Sequence, residues 1–378
     1  MKILLAEGTG HGFLAHYSHA LALGFTASDH HVRLITRKEG ELNGLDFPID
    51  RRSCLDAGSG AWRQLRAEVR AFNPDCVHLQ WVGHPLAALR FVMFCQRRGI
   101  VVLYTPHNLL PHRYRWLLQP LYRLLYQRVD AVVARDGHIA WGLQEILGIP
   151  HERSNVIEGS PNLLSHPLMP RKKVAELAEH SRDERQLLLF GYGGRKKGAE
   201  AACRALLRRK SLSGLHLVLA GHGLQRSIPP ALYTELCQRM RVSSIDRYLA
   251  AGEVAWLFEQ SDLLLMPYQK QCDSPLVDLA LALGTPVLRS DLVNHPSFVE
   301  REDGCTYATT EPLALDSALT WLLNDEHIDP LKQRLRLRSG SQLPLRQLVE
   351  AHTNLYARLI QPSSRHCTVA PVLKPSSL

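Results

Sequence analysis

Short apolar runs, each long enough for one buried strand, alternate with amphipathic stretches, and they do so twice along the chain. In the first half the runs are Ile3 to Ala6, His31 to Thr36, Cys76 to Leu79, Val101 to Tyr104 and Ala131 to Ala134. Helix-like stretches fall between them, among them Leu14 to Leu23 and Pro85 to Arg98. The second half repeats the pattern with Leu187 to Gly191, a helix from about Gly198 to Arg209, Leu215 to Ala220, Leu263 to Pro267 and a helix from Leu313 to Leu323. Such alternation predicts parallel sheets covered by helices on both faces, and ligands bind beyond the carboxyl ends of strands in such sheets. The 378 residues are too many for one typical domain and suit two, which implies a cleft.

Between about Pro161 and Arg185 the sequence turns polar, which reads as a linker. The expected organisation is therefore an N-terminal Rossmann-like domain over 1–165, a linker over 166–185 and a second Rossmann-like domain over 186–340. A C-terminal helix over 341–361 packs back on the first domain, and a disordered tail covers 362–378. No apolar stretch approaches the roughly 20 residues needed to span a bilayer, and the N-terminus enters a strand-like run directly. A cytoplasmic protein is expected, with any membrane contact peripheral, at the inner face. The eight cysteines are scattered and read as reduced thiols. They show no metal-ligand spacing, so no metal is expected. The net charge of +9 favours anionic partners, although a generally basic surface accounts for it equally. No nucleic-acid-binding module is recognisable, so no nucleic acid is expected as a partner.

One segment invites chemistry on its own residues. From Asp273 to Leu288 the sequence reads as a turn, a short helix, a Gly-Thr-Pro bend and a buried strand. Ser274 is placed to cap the helix and Pro275 suits its first position. The amides of Leu276 and Val277 then point out of the helix end and could hold an anion. An ordinary helix start accounts for the same residues.

The ordered set of motifs resembles the GT-B-fold retaining glycosyltransferases of family 4, in particular the bacterial polysaccharide branch. The resemblance rests on the Gly-rich loop ending at Gly12, on Asp75 to Trp81, and on Thr105-Pro106-His107-Asn108-Leu109-Leu110-Pro111-His112. In the second half it rests on Leu189 to Tyr192 with Lys197-Gly198, Leu217 to Gly223, Glu253 to Tyr268 and Ser274 to Val287. It implies two Rossmann-like domains facing a central cleft, and transfer of a sugar from a nucleoside-diphosphate sugar (UDP- or GDP-sugar). The acceptor would be a carbohydrate or a lipid-linked molecule, with retention at the anomeric carbon and no cofactor or metal. His107 and Lys197 would be the catalytic groups, Lys197 neutralising the donor diphosphate. Donor binding would also involve Gly12, Asn108, Tyr192, Arg195, Asp273, Ser274, Pro275, Leu276, Val277 and Asp278. His11, His112 and Arg113 would face the acceptor.

Two departures stand out. Tyr192 occupies a place where the family frequently has arginine, which Arg195 could supply. The family's glutamate pair maps to Gln271 and Leu279, neither of them acidic, which leaves open a catalytically degenerate partner subunit or nucleotide-sugar sensor. A further segment, Arg113 to Tyr126, interleaves arginine, aromatic and leucine residues. It reads either as a helix whose leucines pack on the sheet while its arginines reach solvent, which is the favoured reading, or as a surface for an anionic membrane.

Overall fold

The structure, a computed structural model, describes the chain except Ala57, Ser59, Trp81, His112, Arg113, Ser160, residues 178–183, Pro296 and residues 340–342 and 362–378. The side chains of Asp273 and Leu343 are also outside the description. The chain forms two compact units: Met1–Pro161 together with the C-terminal helix, and a second that begins at Asn162.

The first unit is a seven-stranded parallel sheet. Its strands are β1 (Lys2–Ala6), β2 (His31–Arg37), β3 (Asp50–Leu55), β4 (Cys76–Leu79), β5 (Val101–Tyr104), β6 (Ala131–Ala134) and β7 (Ser154–Val156), in the order β3-β2-β1-β4-β5-β6-β7. The order reverses between β1 and β4, and that switch point is where such sheets open a crevice for ligands. The central strands are mostly apolar because helices cover both faces, with His78 of β4 an exception; Ile3, Leu4 and Leu5 of β1 are fully buried. The helices are α1 (Gly12–Ala27), α2 (Gly60–Phe72), α3 (Pro85–Gln96), α4 (Arg115–Arg128) and α5 (Gly137–Trp141).

The second unit holds a six-stranded parallel sheet in the order β10-β9-β8-β11-β13-β15 and a two-stranded ladder, β12-β14. These strands are β8 (Arg185–Phe190), β9 (Leu215–Ala220), β10 (Arg241–Ile245), β11 (Leu263–Met266), β12 (Cys272–Asp273), β13 (Val287–Ser290), β14 (Val293–Asn294) and β15 (Gly304–Tyr307). Its helices are α6 (Ala199–Arg208), α7 (Pro230–Arg239), α8 (Ala251–Gln260), α9 (Leu276–Ala282), α10 (Ala314–Leu322) and α11 (Asp325–Arg338). Here the order reverses between β8 and β11.

The last helix, α12 (Leu343–Ile360), packs against α1 of the first unit. Leu348, Val349, Leu355 and Tyr356 share a core with Ile3, Leu5, Tyr17, Leu21 and Phe25. Gly24 sits in the last turn of α1, where a Cβ would lie 2.5 Å from Val349 Cγ2; the close approach offsets the roughly 1 kcal/mol a helical glycine costs. A buried polar link reinforces the docking. His78 Nδ1 lies 2.6 Å from the Tyr356 hydroxyl and His78 Nε2 lies 2.7 Å from Thr105 Oγ1.

The polar stretch expected as a linker is partly built into the second unit. Met169, Val174 and Leu177 are buried, Arg171 pairs with Glu259 at 2.7 Å, and Arg247 bridges Glu176 at 2.6 Å and Glu253 at 2.8 Å. Isolated apolar residues and bidentate arginines give this segment contacts that its average polarity hides.

Candidate functional site

Each unit gathers polar side chains at the carboxyl ends of its strands, beside its own switch point. In the first unit Glu7 follows β1, Gln80 follows β4, His107 follows β5 and Arg135 follows β6. The strand ends hold their backbones rigidly, so the side chains converge without needing long loops.

Glu7 is fully buried. Its carboxylate accepts hydrogen bonds from the Thr9 hydroxyl, from the Thr9 amide at 2.5 Å and from the Gly10 amide at 3.0 Å. Burial raises its pKa, while the Thr9 and Gly10 donors work in the opposite direction. Gly12 begins α1 with a φ of +66°, and open space surrounds the place of a Cβ. Its amide, expected to face a donor diphosphate, instead donates to Glu41 Oε1 at 2.6 Å, and the same oxygen lies 3.0 Å from His16 Nε2. A carboxylate of the chain therefore occupies the positive end of α1. His11 is exposed at the N-cap and makes no side-chain cap bond.

His107 is nine-tenths buried. It packs edge-on to the rings of Tyr17 and Phe13, at centroid distances of 5.0 and 5.9 Å, and its Nε2 lies 3.4 Å from Gln80 Oε1. Burial, and then the nearby Arg135 charge, push its pKa well below the usual histidine range, so the ring is neutral near pH 7. Four polar atoms of this cluster are buried with no hydrogen-bond partner: His107 Nδ1, Gln80 Nε2, the Tyr17 hydroxyl and Arg135 Nε. Asn108 is exposed beside them. His112 and Arg113 lie outside the described residues.

In the second unit Lys197 ends a 3-10 turn, Arg195–Lys197, which follows the glycine loop after β8. Its ammonium donates to the Tyr268 hydroxyl and stands 4.1 Å from the centroid of that ring. Burial lowers its pKa to about 8. Tyr268, just after β11, is buried, its backbone carbonyl accepts the Ser290 hydroxyl at 2.8 Å, and Ser274 is close enough to lower the pKa of its phenol against burial. Gly198 follows at a φ of +68°, and a Cβ there would fall 1.6 Å from the Pro267 carbonyl oxygen. Only glycine lets this turn close on the β11 loop. Tyr192 and Arg195 are exposed.

The helix start after Ser274 differs from its sequence expectation. α9 begins at Leu276, its cap position is Pro275, and no side chain caps it. Ser274 lies near Tyr268 and does not cap the helix by its side chain, and its carbonyl accepts the Val277 amide at 3.3 Å. Val277 is thus buried and its amide already used; Pro275 is exposed. Asp278 pairs with His295 Nε2 at 2.8 Å. Asp273 lies in β12, whose ladder with β14 holds the backbone extended where a turn was expected. Of the two positions to which the resemblance maps a glutamate pair, Gln271 is exposed and Leu279 is buried.

The structure thus gathers His107 with Tyr17, Gln80 and Arg135, and Lys197 with Tyr268 and Ser274. Glu7, Tyr17, Gln80, Arg135 and Tyr268 were not singled out from the sequence. Their one legible signal is position, immediately after or facing an apolar strand run.

Comparison with known proteins bears on the fold. Residues 14–159 match the family model described as Glycosyltransferase Family 4. The glycosyltransferase of Rickettsia africae superposes with a TM-score of 0.65 at 13% identity, over 96% of this chain and 99% of that one. The fold is GT-B. Sucrose-phosphate synthase of Thermosynechococcus elongatus superposes with a TM-score of 0.64 at 18% identity, over 95% and 100% of the two chains. Anabaena HepE, in complex with UDP, gives 0.65 at 14% identity over 94% and 100%. Comparison with curated protein sequences returns no match.

Proposed function

We propose that the protein is a retaining, metal-independent glycosyltransferase that takes a sugar from a nucleoside-diphosphate sugar, a UDP- or GDP-sugar, and passes it to a carbohydrate or lipid-linked acceptor. Its role would be in polysaccharide or glycoconjugate biosynthesis. Lys197 carries the reading. It is a partly buried ammonium at the switch point of a GT-B unit, its partner is a neutral phenol, and no ion pair to it occurs among the described residues. A cation held this way is matched by a diphosphate. HepE, of the same fold, has been crystallised with UDP and with UDP-glucose, which supports a UDP-sugar as the first donor to try.

In this mechanism the bond from the anomeric carbon to the diphosphate oxygen breaks while the acceptor hydroxyl forms its bond on the same face. The proton of that hydroxyl passes to the departing diphosphate oxygen. Lys197 stabilises the growing charge on the diphosphate, and Tyr268 holds the ammonium in place. Neutral His107 hydrogen-bonds the transferred sugar, which orients it without adding a competing charge. Asn108, Tyr192, Arg195, Asp273, Ser274, Pro275, Leu276 and Asp278 remain donor-side candidates and His11 an acceptor-side one, whereas the amides of Gly12 and Val277 are taken within the chain.

Peripheral contact with an anionic membrane belongs to the same proposal. α4 packs through Tyr122, Leu125 and Tyr126, while Trp116, Leu117 and Leu124 are 92%, 75% and 50% exposed. Its leucines are thus divided: Leu125 and Leu118 pack inward as the expected stripe does, and Leu117 and Leu124 do not. Arg115, Arg123 and Arg128 are exposed on the same helix, a combination that suits a headgroup layer. Among the described residues no helix is long and apolar enough to cross a membrane. Flotation with anionic liposomes tests the contact; unchanged binding by Arg115→Ala/Arg123→Ala removes it.

The function itself is tested by turnover of UDP-, GDP-, ADP- and dTDP-sugars, with His107→Ala and Lys197→Ala alongside. Slow donor hydrolysis that disappears in His107→Ala is expected. Nucleotide binding without turnover on any acceptor would favour the sensor or partner-subunit alternative, for which the side chains at Gln271 and Leu279 speak.

A further inference from the structure

The buried polar cluster of the first unit holds a charge that the donor reading leaves unused. Arg135 follows β6, its guanidinium lies 5.2 Å from the Phe13 ring centroid, and its buried Nε has no hydrogen-bond partner. No ion pair to Arg135 occurs among the described residues. Around it stand three more unpartnered atoms, His107 Nδ1, Gln80 Nε2 and the Tyr17 hydroxyl, on side chains nine-tenths or more buried. Leaving a buried polar atom unpaired is costly, so four together at the carboxyl ends of neighbouring strands describe a ligand rather than a packing fault. Hydroxyl groups suit the imidazole, amide and phenol. The guanidinium calls for an oxyanion, held in its fork while Phe13 keeps the plane fixed.

We propose that Arg135, with Tyr17 and Gln80, forms a subsite beside His107 for a sugar bearing an oxyanion, a carboxylate or a phosphate, and that this charged sugar is the second substrate, His107 remaining with the transferred sugar. The word substrate rests on the glycosyltransferase reading; the subsite does not. The donor diphosphate is a poorer occupant here, because Glu7 and Glu41 already hold the loop amides of this unit.

The test titrates the full chain with glucuronic acid, glucose 6-phosphate and glucose, and separately with UDP, for the wild type, Arg135→Gln and Arg135→Lys. At least one charged sugar is expected to bind tenfold or more tightly than glucose, and which one does so distinguishes carboxylate from phosphate. Arg135→Gln should erase that preference, Arg135→Lys should keep most of it, and both should bind UDP as the wild type does. Equal binding of charged and neutral sugars by the wild type overturns the proposal, as does a preference unchanged in Arg135→Gln. If Arg135→Gln does not fold, the wild-type ratio and Arg135→Lys decide alone. A wild type that shows the preference but ignores every nucleotide would sink the transferase reading and leave the subsite standing.

Discussion

The glycine loop after β1 and the one after β8 occupy equivalent places in two similar units, yet their charges are managed in opposite ways. In the first, Glu7 accepts the amides of Thr9 and Gly10, and Glu41 accepts that of Gly12. The loop has supplied its own anions. In the second, residues 191–199 contain no acid, and Lys197 leans on a phenol. A Rossmann-like unit thus provides an anion site only where the chain does not fill it, and the repeated architecture alone does not say which half binds phosphate.

The sharpest way to break this comparison is at the glycines. Gly198→Ala must resolve an overlap with the Pro267 carbonyl at 1.6 Å and adopt a left-handed conformation costing about 1–2 kcal/mol by itself. It should abolish UDP binding and lower the melting temperature markedly. Gly12→Ala meets only the conformational cost and should melt within a few degrees of the wild type; equal losses for the two would erase the contrast. Next in size, Lys197→Ala should weaken UDP binding by about 10- to 100-fold, the worth of a charged hydrogen bond. Glu41→Ala frees the α1 N-terminus and the Gly12 amide, and thermal unfolding should report a loss of about 1 kcal/mol.

The smallest effects are in pH. Lys197 has a pKa lowered to about 8, so UDP affinity should decline as pH rises through about 8, and the inflection should vanish in Lys197→Ala. On the acid side His78 and His107 are held well below the usual range by burial, and His19 and His352 are lowered to about 4 for the same reason. The unfolded chain binds those protons first, so stability should fall as pH drops below about 6.5, the unfolded value. A melting temperature flat from pH 7 to 5 would contradict that burial.

How much of this was legible follows from where each residue lies. Central strands such as β1 and β5 announce themselves as apolar runs because both faces are covered. Edge strands do not: β3, Asp50–Leu55, and β10, Arg241–Ile245, keep polar residues on half-exposed faces, and their sequences carry no buried run. Lys197 and His107 were readable as motif residues. Gln80 stood in a motif segment without being singled out, and Arg135 and Tyr17 stood in none, because what marks all three is a missing partner, and a missing partner appears only when the neighbours are known. The same holds for Ser274, whose hydroxyl looked like a helix cap although no side chain caps α9, and which lies near Tyr268, a residue brought to it by the β11 strand end.

Calorimetric titration of UDP into the wild type, Lys197→Ala and His107→Ala tests most directly whether the second unit holds the donor diphosphate. A tenfold or greater loss in Lys197→Ala, with His107→Ala within about twofold of the wild type, is the predicted result. Undiminished binding in Lys197→Ala would contradict it and move the diphosphate away from the β8 loop.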